Sequence, residues 1–258
     1  MLWSDLTAWQ WALGFFGALL VGLGKGGVPG IGYLAAGVYA MTFPAKESVG
    51  LLLPVLMSAD VVAVRIYRRH AEWQYLWKLF PWTAAGVVAG YFAMDHIDDT
   101  GVRHFIGGTF LIMMGIHFFR RWQLSRLAPG AHDPIPHSLA FVAFLGFLGG
   151  FVTMVANAAG TVLALYLLAV GLPKMAFIGT GAWFYLIVNI FKIPFQVDLG
   201  ILTASSLGLS LIFGVVAIGG VLAGPAIVKR INQRLFEGLI WTFVFLAGLK
   251  LLDVGRLW

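Results

Sequence analysis

The chain contains no cysteine, which excludes disulfides, thiolate nucleophiles and Cys-ligated metals. Charge is scarce as well, with 17 Lys and Arg against 11 Asp and Glu in 258 residues, or 11% charged positions. A soluble domain carries about a quarter, so this chain has too little charge to coat a water-facing surface. Catalytic signatures are also missing. There is no His-Glu-x-x-His, no Gly-x-Ser-x-Gly, and a single acid, Asp60, lies well inside an apolar run, so an aspartyl dyad cannot form. Met1 to Gln10 has no Lys or Arg, so a cleavable signal peptide is not expected and the first apolar segment is kept.

What remains is apolar. Hydrophobic residues make up 60% and the mean hydropathy is +0.90. The basic residues behind the pI of 9.7 sit at the ends of apolar runs, which argues against nucleic acid as a partner. A polytopic, all-α membrane protein follows. Spans need about 17–25 apolar residues. Candidates are Leu6 to Gly24, Val49 to Val64, Leu79 to Met94, His104 to Phe119, Met175 to Phe191, Leu199 to Val228 and Glu237 to Leu252. Ile31 to Phe43 is apolar but short. Ser138 to Leu172 is too long for one span and is interrupted at Ala156-Asn157-Ala158-Ala159-Gly160-Thr161.

The two halves repeat. Pro44-Ala45-Lys46 matches Pro173-Lys174, Asp60 falls where Asn189 falls, and Gly86-Val87-Val88-Ala89 recurs as Gly214-Val215-Val216-Ala217. The predicted architecture has a first repeat over 1–119, a cytoplasmic linker over 120–137 and a second repeat over 138–258. Each repeat is a broken pair of short helices followed by three spans. Basic clusters at Arg65, Arg68, Arg69 and Lys78, at Arg120, Arg121 and Arg126, and at Lys229, Arg230 and Arg234 are assigned to the cytoplasm. They share one side only if each broken pair returns to the side it came from, which makes the repeats inverted. That topology sends Lys46 and Lys192 towards the outer side.

A helix break at membrane depth is tolerated where it lines a polar cavity. The second short helix of each pair would turn its free N–H groups and positive dipole end into that cavity, which suits an anion. Candidate binding residues are Gly24, Lys25, Gly26 and Gly27 in the first half, and Asn157, Ala158, Gly160 and Thr161 in the second. The bland alternative is a surface hairpin whose Lys25 snorkels to the interface. Asp60 could carry a proton, or pair structurally with Lys25 or Arg65. Asn189 and Lys192, one turn apart before Pro194, either extend the polar path or mark where their helix leaves the bilayer. Tyr166 and Tyr185 are candidate path-lining residues, against a core or interface role. His132 and His137 flank two prolines and lack the fixed spacing of a metal site, so neither metal nor cofactor is expected.

These motifs together resemble the sulfite exporter TauE/SafE family, also called the toluene sulfonate uptake permease family. The likeness rests on Gly24-Lys25-Gly26-Gly27 with Pro29-Gly30, on Gly50-Leu51-Leu52-Leu53-Pro54 with Asp60, and on Arg68-Arg69-His70-Ala71-Glu72-Trp73. In the second half it rests on Ala156 to Gly160, Tyr166-Leu167-Leu168 and Asn189 to Pro194. The resemblance implies a transporter, not an enzyme, that moves sulfite or small organosulfonates such as sulfoacetate across a bacterial inner membrane, often outward. It places the anion at Lys25, Asn157 and their neighbours. An anion channel and an uptake permease for another small anion are the alternatives. Expected partners are the sulfur-containing anion and membrane lipid, with a homodimer as the candidate assembly.

Overall fold

A computed structural model describes residues 6–27, 31–126, 138–228 and 233–252. The described residues form ten α-helices and one short 3-10 turn, with no strand among them. The first half comprises α1 (Ala8–Lys25), α2 (Ile31–Thr42), α3 (Ala45–Tyr67), α4 (Trp73–His96) and α5 (Asp99–Ser125). The second comprises α6 (Leu139–Ala156), α7 (Gly160–Ala169), α8 (Lys174–Asp198), α9 (Ala204–Val228) and α10 (Gln233–Leu251). Two short helices and then three longer ones appear in each half, as expected. Five described helices are long and apolar enough to cross a membrane: those at Ala45–His70, Asp99–Gln123, Leu139–Ala156, Met175–Asp198 and Ala204–Ala226. Three expected spans are not among them: Leu6 to Gly24 at α1, Glu237 to Leu252 at α10, where Trp241–Leu251 is a shorter apolar helix, and Leu79 to Met94 within α4. Its first turns carry Gln74, Tyr75 and Lys78.

Local chemistry fixes the helix ends. Thr7 caps α1 in a reciprocal box with Gln10. Pro44 and Pro173, the matched prolines, both stand immediately before the first turn of their helices, α3 and α8. There a fixed φ starts the helix and the missing N–H removes no helical bond. α1 and α2 form an antiparallel hairpin: Tyr39 donates to the Gly14 carbonyl at 3.2 Å and Gln10 to the Thr42 carbonyl at 3.4 Å. The first broken pair therefore returns towards its start.

Two helices run on past the charges that bound the expected spans. α8 runs past Phe191, through Lys192 and Pro194, to Asp198. α5 continues through Arg120 to Ser125, so the connection begins six residues later than the 120–137 expected. Charge ends a span in lipid but does not end a helix. The remainder of that linker, including His132 and His137, lies outside the described residues, as does Val28-Pro29-Gly30.

α4 packs against α6, and α9 against α1, at glycine crossings. A Cβ on Gly86 would lie 2.0 Å from the Phe147 carbonyl oxygen, and one on Gly22 would lie 2.1 Å from that of Ala217. Such crossings let backbones meet where lipid supplies no hydrophobic drive between helices. Gly220 packs on Gly22 in the same contact, whereas the neighbouring Gly219 faces open space. Between these pairs α3 and α8 run antiparallel. Asp60 meets Asn189, and Gly50 meets the Ile201 carbonyl. Large apolar side chains such as Trp77, Ile112, Phe144, Val215 and Leu222 point outward, while Asp60, Asn189, Lys192 and Gln196 are buried. This distribution is the reverse of a soluble protein's and fits a bundle solvated by lipid.

Candidate functional site

Lys25 is the last residue of α1, and the chain turns at once through Gly26 and Gly27, the latter at φ 109°. Only glycine adopts that conformation freely. The turn holds Lys25 inside the bundle. Its Nζ lies 2.6 Å from Asp60 Oδ1 and 3.5 Å from the centre of the Tyr185 ring. The Lys25 side chain is 15% exposed and that of Asp60 is fully buried. A snorkelling surface lysine would show neither contact. Of the two partners open to Asp60, the structure selects Lys25, while Arg65 is exposed on α3 and stands apart from this cluster.

Asn189, which the sequence comparison lines up with Asp60, donates to Asp60 Oδ2 at 2.8 Å. Lys192, one turn on, donates to Asn157 Oδ1 at 2.6 Å, to Asn189 Oδ1 at 3.3 Å and to Thr153 Oγ1 at 3.4 Å. Asn157 terminates α6 with φ 52° and donates to the Val49 carbonyl at 3.0 Å. The left-handed region costs most side chains about 1–2 kcal/mol, and Asn is one of the few residues that tolerates it. A continuous polar chain thus links the two breaks: Lys25, Asp60, Asn189, Lys192, Asn157. The cluster holds two lysines and one carboxylate, formally one more basic group than acidic, and only Lys25 touches the carboxylate. Lys192 is not the last residue of its helix, which continues to Asp198. It lies fully buried, surrounded by three neutral oxygens.

Beside this chain is a cavity of about 610 Å³. Gly24, Lys25 and Gly27 of the first break line it together with Gly160 of the second, and Tyr185 completes the polar end. The rest of its wall is apolar, including Leu163, Leu167 and Phe177. α7 begins at Gly160 with no side-chain cap, so its first amide groups are available at that wall.

The other predicted residues fall elsewhere. Gly26 packs against α9, where a Cβ would lie 2.7 Å from the Val221 carbonyl oxygen. Ala158 is buried core. Tyr166 commits its hydroxyl to the Tyr75 carbonyl at 3.0 Å, in a separate contact between α7 and α4. The side chain of Thr161 lies outside the described residues. Thr153 and Gln196 were not foreseen. The readable signal for the latter was a stripe on α8: Tyr185, Asn189, Lys192 and Gln196 fall at i, i+4, i+7 and i+11, one face of a helix.

Asn157 provides a direct check on the chain of contacts. Asn157→Gly keeps the left-handed turn and removes the closest acceptor of Lys192. It should cost about 1.5–3 kcal/mol, the range for a hydrogen bond to a charged group. Asn157→Ala adds backbone strain and should be worse by about 1–2 kcal/mol. Thermal unfolding of the purified variants in detergent orders them. Equal stability of both with the parent would show that Asn157 does not hold Lys192.

A family model described as "Sulfite exporter TauE/SafE" matches residues 13–251. No curated protein and no solved structure matches the chain.

Proposed function

Since the chain belongs to the sulfite exporter TauE/SafE family, whose members are multi-pass membrane transporters, we propose that it is a secondary carrier exporting a small organosulfonate or sulfite across a bacterial inner membrane. The observation that carries this reading is Lys25, paired with Asp60 at the wall of a cavity that both helix breaks line. A buried cluster with one more basic group than acidic favours an anion, and the uncapped start of α7 adds amide donors on the same wall. The size and apolar lining of the cavity favour an organosulfonate over bare sulfite. A head group at Lys25 leaves an organic tail against Leu163, Leu167 and Phe177. A negative-inside potential drives such an anion outward, at about 2.3 kcal/mol per charge per 100 mV.

The mechanism that goes with this reading is an inverted repeat, with residues 1–119 and 138–258 as its halves and the first extended by α5 to Ser125. Three features support it. Equivalent helices α3 and α8 run antiparallel and meet at the equivalent residues Asp60 and Asn189. The crossing of α1 with α9 is matched by that of α6 with α4. The first broken pair folds back on itself. The N-terminal end of α8 lies beside Tyr67, His70 and Ala71. This turn carries Arg68 and Arg69, so the positive-inside rule makes the 610 Å³ cavity the cytoplasmic vestibule.

The test is sulfonate binding and flux with the full chain in proteoliposomes, comparing sulfite, sulfoacetate, ethanesulfonate and acetate. Lys25→Gln should weaken binding of the preferred sulfonate at least about tenfold. Lys78→Gln, which removes an exposed charge at the start of α4, should change it less than about twofold. Equal losses in the two variants would remove Lys25 from the site.

A further inference from the structure

We infer that Lys192 and Gln196 form a second, closed subsite for the anionic head group, one step deeper than Lys25 along α8. This rests on the reading of the chain as an anion carrier, but on different residues. Lys192 is the lysine of the cluster that no carboxylate contacts. It is fully buried, does not line the cytoplasmic vestibule, and contacts three neutral oxygens. Asp60, the acid linked to it through Asn189, is already engaged with Lys25.

Gln196 is the second, independent observation. Its side chain is fully buried, and neither its amide oxygen nor its amide nitrogen has a hydrogen-bond partner among the described residues. An unsatisfied buried amide costs about 1–3 kcal/mol and calls for an explanation. It stands one helical turn beyond Lys192 on the same face of α8, so the two side chains can share one ligand. A sulfonate head group between them would accept from the carboxamide and, in place of the Thr153 hydroxyl at 3.4 Å, from the ammonium, whose three donors are taken by Asn157, Asn189 and Thr153 when no anion is bound.

The order along α8 gives the subsite its place. Tyr185 meets Lys25 at the open cavity, Asn189 meets Asp60, and Lys192 and Gln196 follow. At 1.5 Å per residue this stripe spans about 16 Å, roughly half the hydrocarbon thickness. Beyond it, the Ile201 amide donates to the Gln196 carbonyl, and Ile201 lines a small cavity with Glu47 and Thr203. The anion would leave Lys25, pass the Asp60–Asn189 contact, and be held by Lys192 and Gln196 before release on that side.

Because the native chain has no cysteine, single-cysteine labelling tests this without background. Gln196→Cys and Thr153→Cys both report on the space around Lys192. Gln74→Cys, at the exposed start of α4, gives the intrinsic reactivity of each reagent. The full-length variants are treated in proteoliposomes, from both faces, with anionic 2-sulfonatoethyl methanethiosulfonate or its cationic trimethylammonioethyl analogue. Relative to Gln74→Cys, the anionic reagent should react at least about tenfold faster than the cationic one. Ethanesulfonate should slow it, and adding Lys192→Gln should abolish the preference.

If both cysteines are inert from both faces in stably folded protein, or react without regard to charge, the subsite does not exist. If the charge preference holds while the parent chain moves no sulfonate, the subsite stands and the substrate assignment falls. If the parent chain moves sulfonate while both cysteines stay inert, the carrier reading stands and the subsite falls.

Discussion

Asp60→Asn is expected to bind the proposed sulfonate substrate more tightly than the parent chain, by about tenfold, yet to turn over far more slowly. Asp60 is the only acid in the cluster and occupies Lys25 Nζ at 2.6 Å, so it competes with the anion for the same ammonium. Removing its charge frees Lys25 and also removes the group that takes the ammonium back on release. Without anion, the variant should be destabilised. Breaking one partner of a buried pair costs about 3–5 kcal/mol, and the lower end applies because the 15% exposure of Lys25 lets water reach the charge. Added ethanesulfonate should then raise the unfolding temperature of Asp60→Asn more than that of the parent, since a ligand stabilises in proportion to its affinity. The double variant Lys25→Gln/Asp60→Asn should regain most of the stability and none of the binding. If the pair were structural alone, the double variant would transport normally, and that result would remove both residues from the mechanism.

Gly86→Ala and Gly150→Ala are expected to be the most damaging single-methyl changes in the chain. The added Cβ atoms would lie 2.0 Å from the Phe147 and Thr83 carbonyl oxygens respectively. The obstructing atoms belong to helix backbone and cannot rotate away, so α4 and α6 must separate by more than 1 Å. Overpacking typically costs about 1–3 kcal/mol, and rigid neighbours on both sides put these variants at or above the top of that range. Gly22→Ala should behave similarly at the crossing of α1 with α9, where the distance is 2.1 Å. Gly108→Ala in α5 provides the contrast. Nothing lies within 4 Å of its added Cβ, so the gain of about 0.5–1 kcal/mol for Ala over Gly in a helix should appear instead. Yield of monodisperse protein and thermal unfolding in detergent separate the two groups. Matching behaviour of Gly86→Ala and Gly108→Ala would mean that the helices do not cross as described.

The order of helices was legible because its signals are local. The prolines at 44 and 173 start helices, and the breaks at Gly26-Gly27 and Asn157 stop them. The helices run on past Arg120 and Lys192, where the expected spans stop, because a charge reports where lipid ends, not where hydrogen bonding ends. Lys192 also shows why the site was only half readable. Whether a lysine faces water or three oxygens depends on α6 arriving with Thr153 and Asn157, which no spacing within α8 encodes. Tyr166 and Tyr185 lie in equally apolar runs, yet one hydroxyl goes to the Tyr75 carbonyl while the other ring stacks beneath Lys25. Local pattern cannot separate them. Asp60 and Asn189, which the sequence comparison lines up, are in contact, although nothing in either run says that they touch.

The proposed carrier holds its anion between the two helix breaks, against Lys25. A structure of the full chain with 2-bromoethanesulfonate, located by bromine anomalous scattering, tests this most directly. The sulfonate should lie within hydrogen-bonding distance of Lys25 Nζ beside Tyr185, with bromine towards Leu163 and Leu167. Bromine bound only at sites remote from this cavity, with the Lys25–Asp60 pair undisturbed at saturating ligand, would contradict it.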